Sequence, residues 1–166
     1  EGRKQEATSS SNVVSPKVWF MRQTIGNACG TMAIFHAIAN NQQSLPVSGE
    51  MAAFFKRTKD MTPEERAADL ERDSAVAEAH KEGAAEGQTA APKPGEDVEH
   101  HYAAFVCVDG NLYELDGRQP APINHGPSVD VLKDGARAIR QRIQSFADDS
   151  LAFSVISLGP NSDDDY

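Results

Sequence analysis

The sequence is short of positive charge, of cysteine, of long apolar runs and of hydrophobic residues in general. Each shortage excludes something. Sixteen Lys and Arg against 25 Asp and Glu leave a net charge of −9. A general nucleic-acid binder needs a basic face, so that class is excluded. Two cysteines cannot by themselves build a disulfide framework or a four-ligand zinc site. With no secretory leader, they read as reduced thiols of a cytosolic or nuclear protein. The longest apolar run, Tyr102 to Val108, falls far short of a membrane span. Hydrophobic residues at 39% are few for a compact domain but too many for a wholly disordered chain. There is no internal repeat. A length of 166 residues points to one domain with polar appendages. The first residue is Glu1 rather than Met, so a natural beginning upstream is expected.

What is present reads as an α+β domain. Glu1 to Pro16 is polar and Ser-rich, and residues 1–14 are expected to be a flexible lead-in. KVWFMRQ, Lys17 to Gln23, is rich in β-formers and predicts a buried strand. Asn27 is a good N-cap for the helix that follows, which ends at Asn40-Asn41. Its apolar residues cover nearly the whole circumference, so it belongs inside the domain. Ser48 is expected to cap a helix over Gly49 to Thr58. Thr62-Pro63-Glu64-Glu65 is a capping box with Pro at the first helical position. That helix is expected to restart at Asp73-Ser74 and end near Lys81. Glu82 to Asp97 then reads as a long surface loop. His101–Val108 and Asn111–Asp116 are strands joined by the turn pair Asp109-Gly110. Pro120, Pro122 and Pro127 mark irregular chain. Ser128 caps a helix to about Phe146 with Val129, Leu132, Ala136, Ile139 and Ile143 on one face. Leu151–Leu158 predicts a last strand, and residues 160–166 an acidic tail. At least four strands around a buried helix are expected.

Cys29 stands out chemically. A thiol in the first turn of a helix faces the positive end of the helix dipole, which favours the thiolate. Gly30 beside it leaves room for a substrate backbone. A nucleophilic Cys needs a base. His36 lies on the same helix, about 10.5 Å of rise away, too far for direct proton transfer. His80 and His125 read as surface or packing, and Cys107 as strand packing. The hairpin separates His100 from His101. If Asp109-Gly110 is the turn, 108 pairs with 111 and, by the same count, 103 with 116. His101 then lies diagonal to Asp116 on one face, about 7–8 Å away at the backbone, while His100 points to the other face. A carboxylate behind an imidazole fixes its tautomer and stabilises the imidazolium. Gln23, six residues before Cys29 at the end of a strand, can aim an amide N–H at a developing oxyanion, with the Cys29 backbone N–H as second donor. Each residue taken alone has a plainer reading: a packed thiol, a strand-end Asp-Gly turn, a surface amide.

Two longer segments carry a resemblance. QTIGNACGT (Gln23–Thr31) with FHAIANN resembles the nucleophile segment of the ubiquitin carboxyl-terminal hydrolases, papain-like cysteine proteases. HYAAFVCVDGNLYELDGR (His101–Arg118) resembles their His and Asp segment, and PINHG (Pro122–Gly126) is also similar to family sequence. The resemblance runs from about Ser15 to Leu158. It implies a papain-like α+β fold, with a buried nucleophile helix on a mainly antiparallel sheet, over residues 15–159. It implies Cys29 as nucleophile, His101 as general acid/base, Asp116 orienting His101, and Gln23 in the oxyanion hole. The implied reaction is hydrolysis at the C-terminal glycine of ubiquitin through a Cys29 thioester. A crossover loop at about 79–99 would favour small or flexible adducts. Ubiquitin, or a ubiquitin-like protein, is the implied partner, in the cytoplasm or nucleus. No metal or organic cofactor is implied, and no nucleic-acid or membrane partner. Relatives are expected to carry several tens of residues before the segment matching Val14-Ser15. The alternatives are a ubiquitin-binding module without turnover, or a papain-like protease or acyltransferase of another substrate.

Overall fold

The computed structural model describes residues 2–73, 101–144 and 154–158. Eight elements follow in order: α1 (Gly2–Thr8), α2 (Cys29–Ala39), α3 (Gly49–Arg57), α4 (Pro63–Arg72), β1 (Ala104–Val108), β2 (Asn111–Leu115), β3 (Ile123–Pro127) and α5 (Val131–Gln144). The strands form an antiparallel sheet in the order β1-β2-β3. None of the described helices is long and apolar enough to cross a membrane.

The hairpin is set by its turn. Asp109 and Gly110 both have positive φ, 49° and 71°, the handedness that matches the twist of two adjoining strands. Val108 therefore faces Asn111, and Ala104 faces Leu115. This is the register the turn pair predicts. β3 pairs with β2 across an irregularity between Asn111 and Tyr113. It forms where prolines suggested irregular chain. Pro127 is tolerated because it is the last residue of an edge strand.

α2 is the central helix and divides the core. Met32, Phe35 and Ala39 pack with Trp19, Met21, Phe54, Phe55, Ala67 and Leu70. Ala33 and Ala37 turn toward Phe20, Val106, Tyr113 and Leu115. Ile34 lies on the open side of the helix and is exposed. The N-cap is Ala28 rather than Asn27. Asn27 instead occupies the left-handed region at φ 56°, where Asn is tolerated better than most residues. α3 and α4 stand where expected, although Ser48, at the N-cap of α3, makes no side-chain capping bond. The capping box at α4 is complete: Glu65 N–H donates to Thr62 Oγ1, and Thr62 N–H to Glu65 Oε2.

Four expectations are corrected. Residues 1–14 are not all loose lead-in, since α1 packs on β3. Ala7 is buried, and the Asn12 amide donates to the carbonyls of Ala7 and Pro122. Residues 17–23 bury both of their aromatics, Trp19 and Phe20, but belong to no described strand or helix. Their N–H groups go to single partners instead: Trp19 to Asn40 Oδ1, Met21 to His36 Nε2, Arg22 to Pro63 O and Gln23 to Gly117 O. Of the expected last strand, residues 154–158 are exposed and form no strand. The described sheet therefore has three strands rather than four.

The fourth correction concerns α5. It begins after Asp130, whose carboxylate accepts the Lys133 N–H, while Ser128 bonds Asp134. The buried side of α5 is Gly135 and Ala138. A Cβ on Gly135 would meet Phe105 Cβ at 3.9 Å, ordinary contact distance, so α5 packs on β1 through its small residues. Leu132, on the face expected to be buried, is 63% exposed. Small residues and the Arg142–Glu114 ion pair decide the docking, not the apolar period. The expected restart at 73–81, the surface loop, the crossover segment at about 79–99 and the tail at 160–166 lie outside the described residues, apart from Asp73.

Candidate functional site

Asp116 stands one residue beyond β2 and His101 three residues before β1. The hairpin register aims both at one face. His101 Nε2 lies 2.7 Å from Asp116 Oδ1. The Asp116 side chain is 0% exposed, and its oxygens are well supplied with donors. Oδ1 also accepts the Arg118 N–H at 2.9 Å. Oδ2 accepts Arg3 Nη1 at 2.7 Å and a longer contact from Gln119 Nε2 at 3.4 Å. Burial by itself raises this carboxyl. The His101 bond, the Arg118 N–H and the charge of Arg3 outweigh burial and hold the pKa at about 2.

The protonation of the ring follows. An ionised carboxylate only accepts, so Nε2 carries the hydrogen that faces it. In the neutral ring Nδ1 then keeps a bare lone pair. Nδ1 is buried and has no hydrogen-bond partner among the described residues. That is the arrangement of a general base awaiting a proton.

Cys29 is the first residue of α2 and is buried. The start of α2 lies beside the His101 segment. A Cβ built on Gly30 would stand 3.9 Å from Tyr102 Cδ2. Gly30 and Tyr102 directly follow Cys29 and His101, so the first turn of α2 and the segment before β1 lie side by side. A helix N-terminus also offers unpaired N–H groups to an anion.

Gln23 is locked to the loop after β2. Its N–H donates to the Gly117 carbonyl at 2.8 Å. Arg22 adds a second tie through the Gln119 carbonyl. The Gln23 amide Nε2 donates to Ile25 O at 3.0 Å. Nε2 carries two hydrogens, so this bond sets the amide plane and leaves one N–H to give.

The other histidines play different parts. His36 is 0% exposed and stacks on Phe20 with ring centroids 5.1 Å apart. Its Nε2 meets the N–H and carbonyl of Met21. Burial lowers its pKa to about 4, partly countered by backbone hydrogen bonds, so it is a neutral core residue near pH 7. His125 meets Glu114 at 3.0 Å. His80 and His100 lie outside the described residues. Cys107 is half-buried and contacts the Ser128 carbonyl. Among the described residues, no group of His, Cys, Asp and Glu could hold a metal ion.

Sequence reasoning missed two features here. Arg3 sits in a polar stretch with no periodicity, so nothing local marks it. Gly117 was read only as half of a turn pair, yet a Cβ there would fall 2.9 Å from Gln23 Cβ.

Comparison with known proteins gives a consistent result. The family described as "Ubiquitin carboxyl-terminal hydrolase, family 1" matches residues 1–146. The chain is 41% identical over 160 residues to ubiquitin carboxyl-terminal hydrolase isozyme L1 of Homo sapiens, covering 94% of this chain and 70% of that protein. It is 42% identical over 158 residues to ubiquitin carboxyl-terminal hydrolase 3 of Arabidopsis thaliana, covering 93% of this chain and 66% of that protein. Among solved structures, Trichinella spiralis UCH37 bound to ubiquitin vinyl methyl ester superposes with a TM-score of 0.67 at 24% identity. That match covers 84% of this chain and 57% of the other. The catalytic domain of the same protein, also bound to ubiquitin vinyl methyl ester, gives 0.68 at 24% identity and covers 85% and 65%. The chain thus spans between 57% and 70% of the length of these relatives.

Proposed function

The chain belongs to the ubiquitin carboxyl-terminal hydrolase family, and from that premise we propose that it is a cysteine-type deubiquitinase acting at the C-terminal glycine of ubiquitin. The Cys29 thiol attacks the glycine carbonyl carbon, and His101 Nδ1 takes the thiol proton. Asp116 accepts the Nε2–H and stabilises the imidazolium. The remaining Gln23 amide N–H and the Cys29 backbone N–H receive the negative oxygen. The tetrahedral species collapses to a Cys29 thioester, and the leaving amine, alcohol or thiol departs with the proton held by His101. Water then gives a proton to His101, attacks the thioester and releases the ubiquitin carboxylate with regeneration of the thiol. Ester, thioester, amide and peptide bonds all fit this sequence.

One observation carries the chemistry: the 2.7 Å bond from His101 Nε2 to a buried, ionised Asp116. It leaves Nδ1 without a partner among the described residues, on a segment whose next residue, Tyr102, lies against Gly30 of α2. Family membership carries the substrate. A preference for small or flexible adducts follows if residues 79–99 span the site as the resemblance implies. A cytoplasmic location, extending to the nucleus, is supported by two free thiols in the chain.

The test uses ubiquitin bearing a thiol-reactive C-terminal group, with mass mapping of the adduct, on this chain and on Cys29→Ala. A fluorogenic ubiquitin amide reports turnover. An adduct on Cys29 and turnover lost in Cys29→Ala, with ubiquitin binding retained, is the expected result. Turnover that survives in Cys29→Ala would overturn the nucleophile assignment. Ubiquitin binding without turnover from a folded chain would reduce the protein to a binding module.

A further inference from the structure

We propose that Arg3 is a positioning residue for the His101–Asp116 pair; the proposal deepens, and rests on, the reading of that pair as catalytic. Asp116 has two oxygens to satisfy in a place closed to water. Oδ1 is occupied by His101 and by the Arg118 N–H. Oδ2 has one strong donor, Arg3 Nη1 at 2.7 Å, since the Gln119 contact is 3.4 Å. Removing Arg3 would leave a buried charged oxygen short of a donor. The carboxylate would then gain by turning, and any turn moves Oδ1 off His101.

A second carboxylate strengthens the case. Glu114 lies two residues back on β2, is buried, and stands 3.7 Å from the same Arg3 nitrogen. Arg3 therefore sits between two buried negative groups whose mutual repulsion it offsets. Glu114 has further partners in Arg142 and His125, each at 3.0 Å. Among the described residues, Asp116 has no other Arg or Lys side chain within ion-pair distance, and its remaining side-chain partner there is His101. Arg142 reaches Glu6 of α1 as well, so α1 is anchored at a point separate from Arg3. Arg3 is 34% exposed along its side chain. Its job is thus done by a head group held over Oδ2, not by a packed stem.

The geometry makes a specific demand. One nitrogen, Nη1, makes both carboxylate contacts. A Lys ammonium, a single point charge, can replace it, which would not hold for a bidentate fork. Arg3→Ala and Arg3→Gln should lower kcat on the order of tenfold, as expected for a buried charge left without its partner, with KM within about twofold because no substrate contact is lost. Arg3→Lys should restore most of kcat. Glu6→Gln breaks the Arg142 contact of α1 while leaving Arg142 on Glu114, and should leave kcat within about twofold.

Imidazole 15N spectra of the full chain give a readout independent of turnover. Unmodified protein should show His101 as the Nε2–H tautomer, and Arg3→Ala should lose that single tautomer while Arg3→Lys keeps it. A folded Arg3→Ala or Arg3→Gln chain with the parent tautomer and kcat overturns the proposal. So does a Glu6→Gln chain impaired as severely as Arg3→Ala, because the role would then be general support of α1. If Arg3→Ala does not fold, the contrast between Arg3→Lys and Arg3→Gln decides in the same way. If unmodified chain shows no turnover on ubiquitin, the functional reading fails, and the tautomer contrast still reports on Arg3.

Discussion

Gly117 and Gln23 touch so closely that no side chain fits at position 117. A Cβ there would lie 2.9 Å from Gln23 Cβ and 3.1 Å from its backbone nitrogen. The Gly117 carbonyl accepts the Gln23 N–H at 2.8 Å. Gly117 follows the carboxylate that holds His101, and Gln23 begins the turn that leads to Cys29. One close contact therefore sets the distance between the two halves of the site.

Gly117→Ala tests that contact. The methyl must push Gln23 away or force the 116–118 loop back. Overpacking of this kind costs about 1–3 kcal/mol, readable by urea denaturation. kcat on a fluorogenic ubiquitin substrate should fall by roughly tenfold or more, with a smaller change in KM. An unchanged kcat would mean that the loop yields without moving the amide.

Asp116→Asn keeps the size and removes the charge. The amide must turn an N–H toward either His101 Nε2–H or the Arg3 guanidinium, and both are donors. The ring tautomer is then no longer held. kcat should drop by at least about tenfold. Because the folded pKa of Asp116 is about 2, below the unfolded value, its stabilising effect is present above pH 4 and is lost as pH falls toward 2. An acid limb of kcat/KM between pH 4 and 7 must belong to another group, and Asp116→Glu should leave that limb in place.

His36 predicts a separate pH dependence of stability. Its folded pKa of about 4 lies below the ordinary 6.5, so the unfolded chain binds the proton first. The His36 contribution is intact above pH 6.5 and declines as pH falls from 6.5 to 4. The loss approaches about 3 kcal/mol at the acid end. Urea midpoints at pH 7, 5.5 and 4.5 should fall steadily in the parent. The fall should be shallower in His36→Gln, which cannot titrate. Parallel slopes would remove His36 as the cause.

Arg66 is a further buried charge that holds the fold. Its guanidinium donates to the carbonyls of Phe20, Thr58 and Lys59 at 2.7–2.9 Å and lies 4.9 Å above the Trp19 ring. It joins α4 to the segment before the site. Arg66→Met fills similar volume but strands three carbonyls. It should cost about 2–4 kcal/mol, with kcat per folded molecule unchanged. A thermal or urea scan beside active-site titration separates the two.

The features legible in advance depend on residues close along the chain. Asp109-Gly110 dictated the handedness of one turn, and that turn alone brought His101 diagonal to Asp116. Thr62 and Glu65 capped α4 across a single helical turn. Cys29 fell in the first turn of α2, as the apolar run after Asn27 predicts, one residue later than an Asn27 cap would place it. In each case the deciding forces act over one turn or one strand pair, so the pattern is local.

Tertiary structure decided the rest. Residues 17–23 have strand composition, but their N–H groups find His36, Asn40, Pro63 and Gly117 before any neighbouring strand. α5 buries Gly135 and Ala138 rather than its larger apolar residues, because contact with β1 and the Arg142–Glu114 pair outweigh the period. Arg3 reaches Asp116 across 113 positions, and the clash reserved for Gly117 exists only once Gln23 lies against it. A charge or a gap matched to a distant partner leaves no periodicity and no turn signal. Such a match arises only when the packed chain brings both ends to one place.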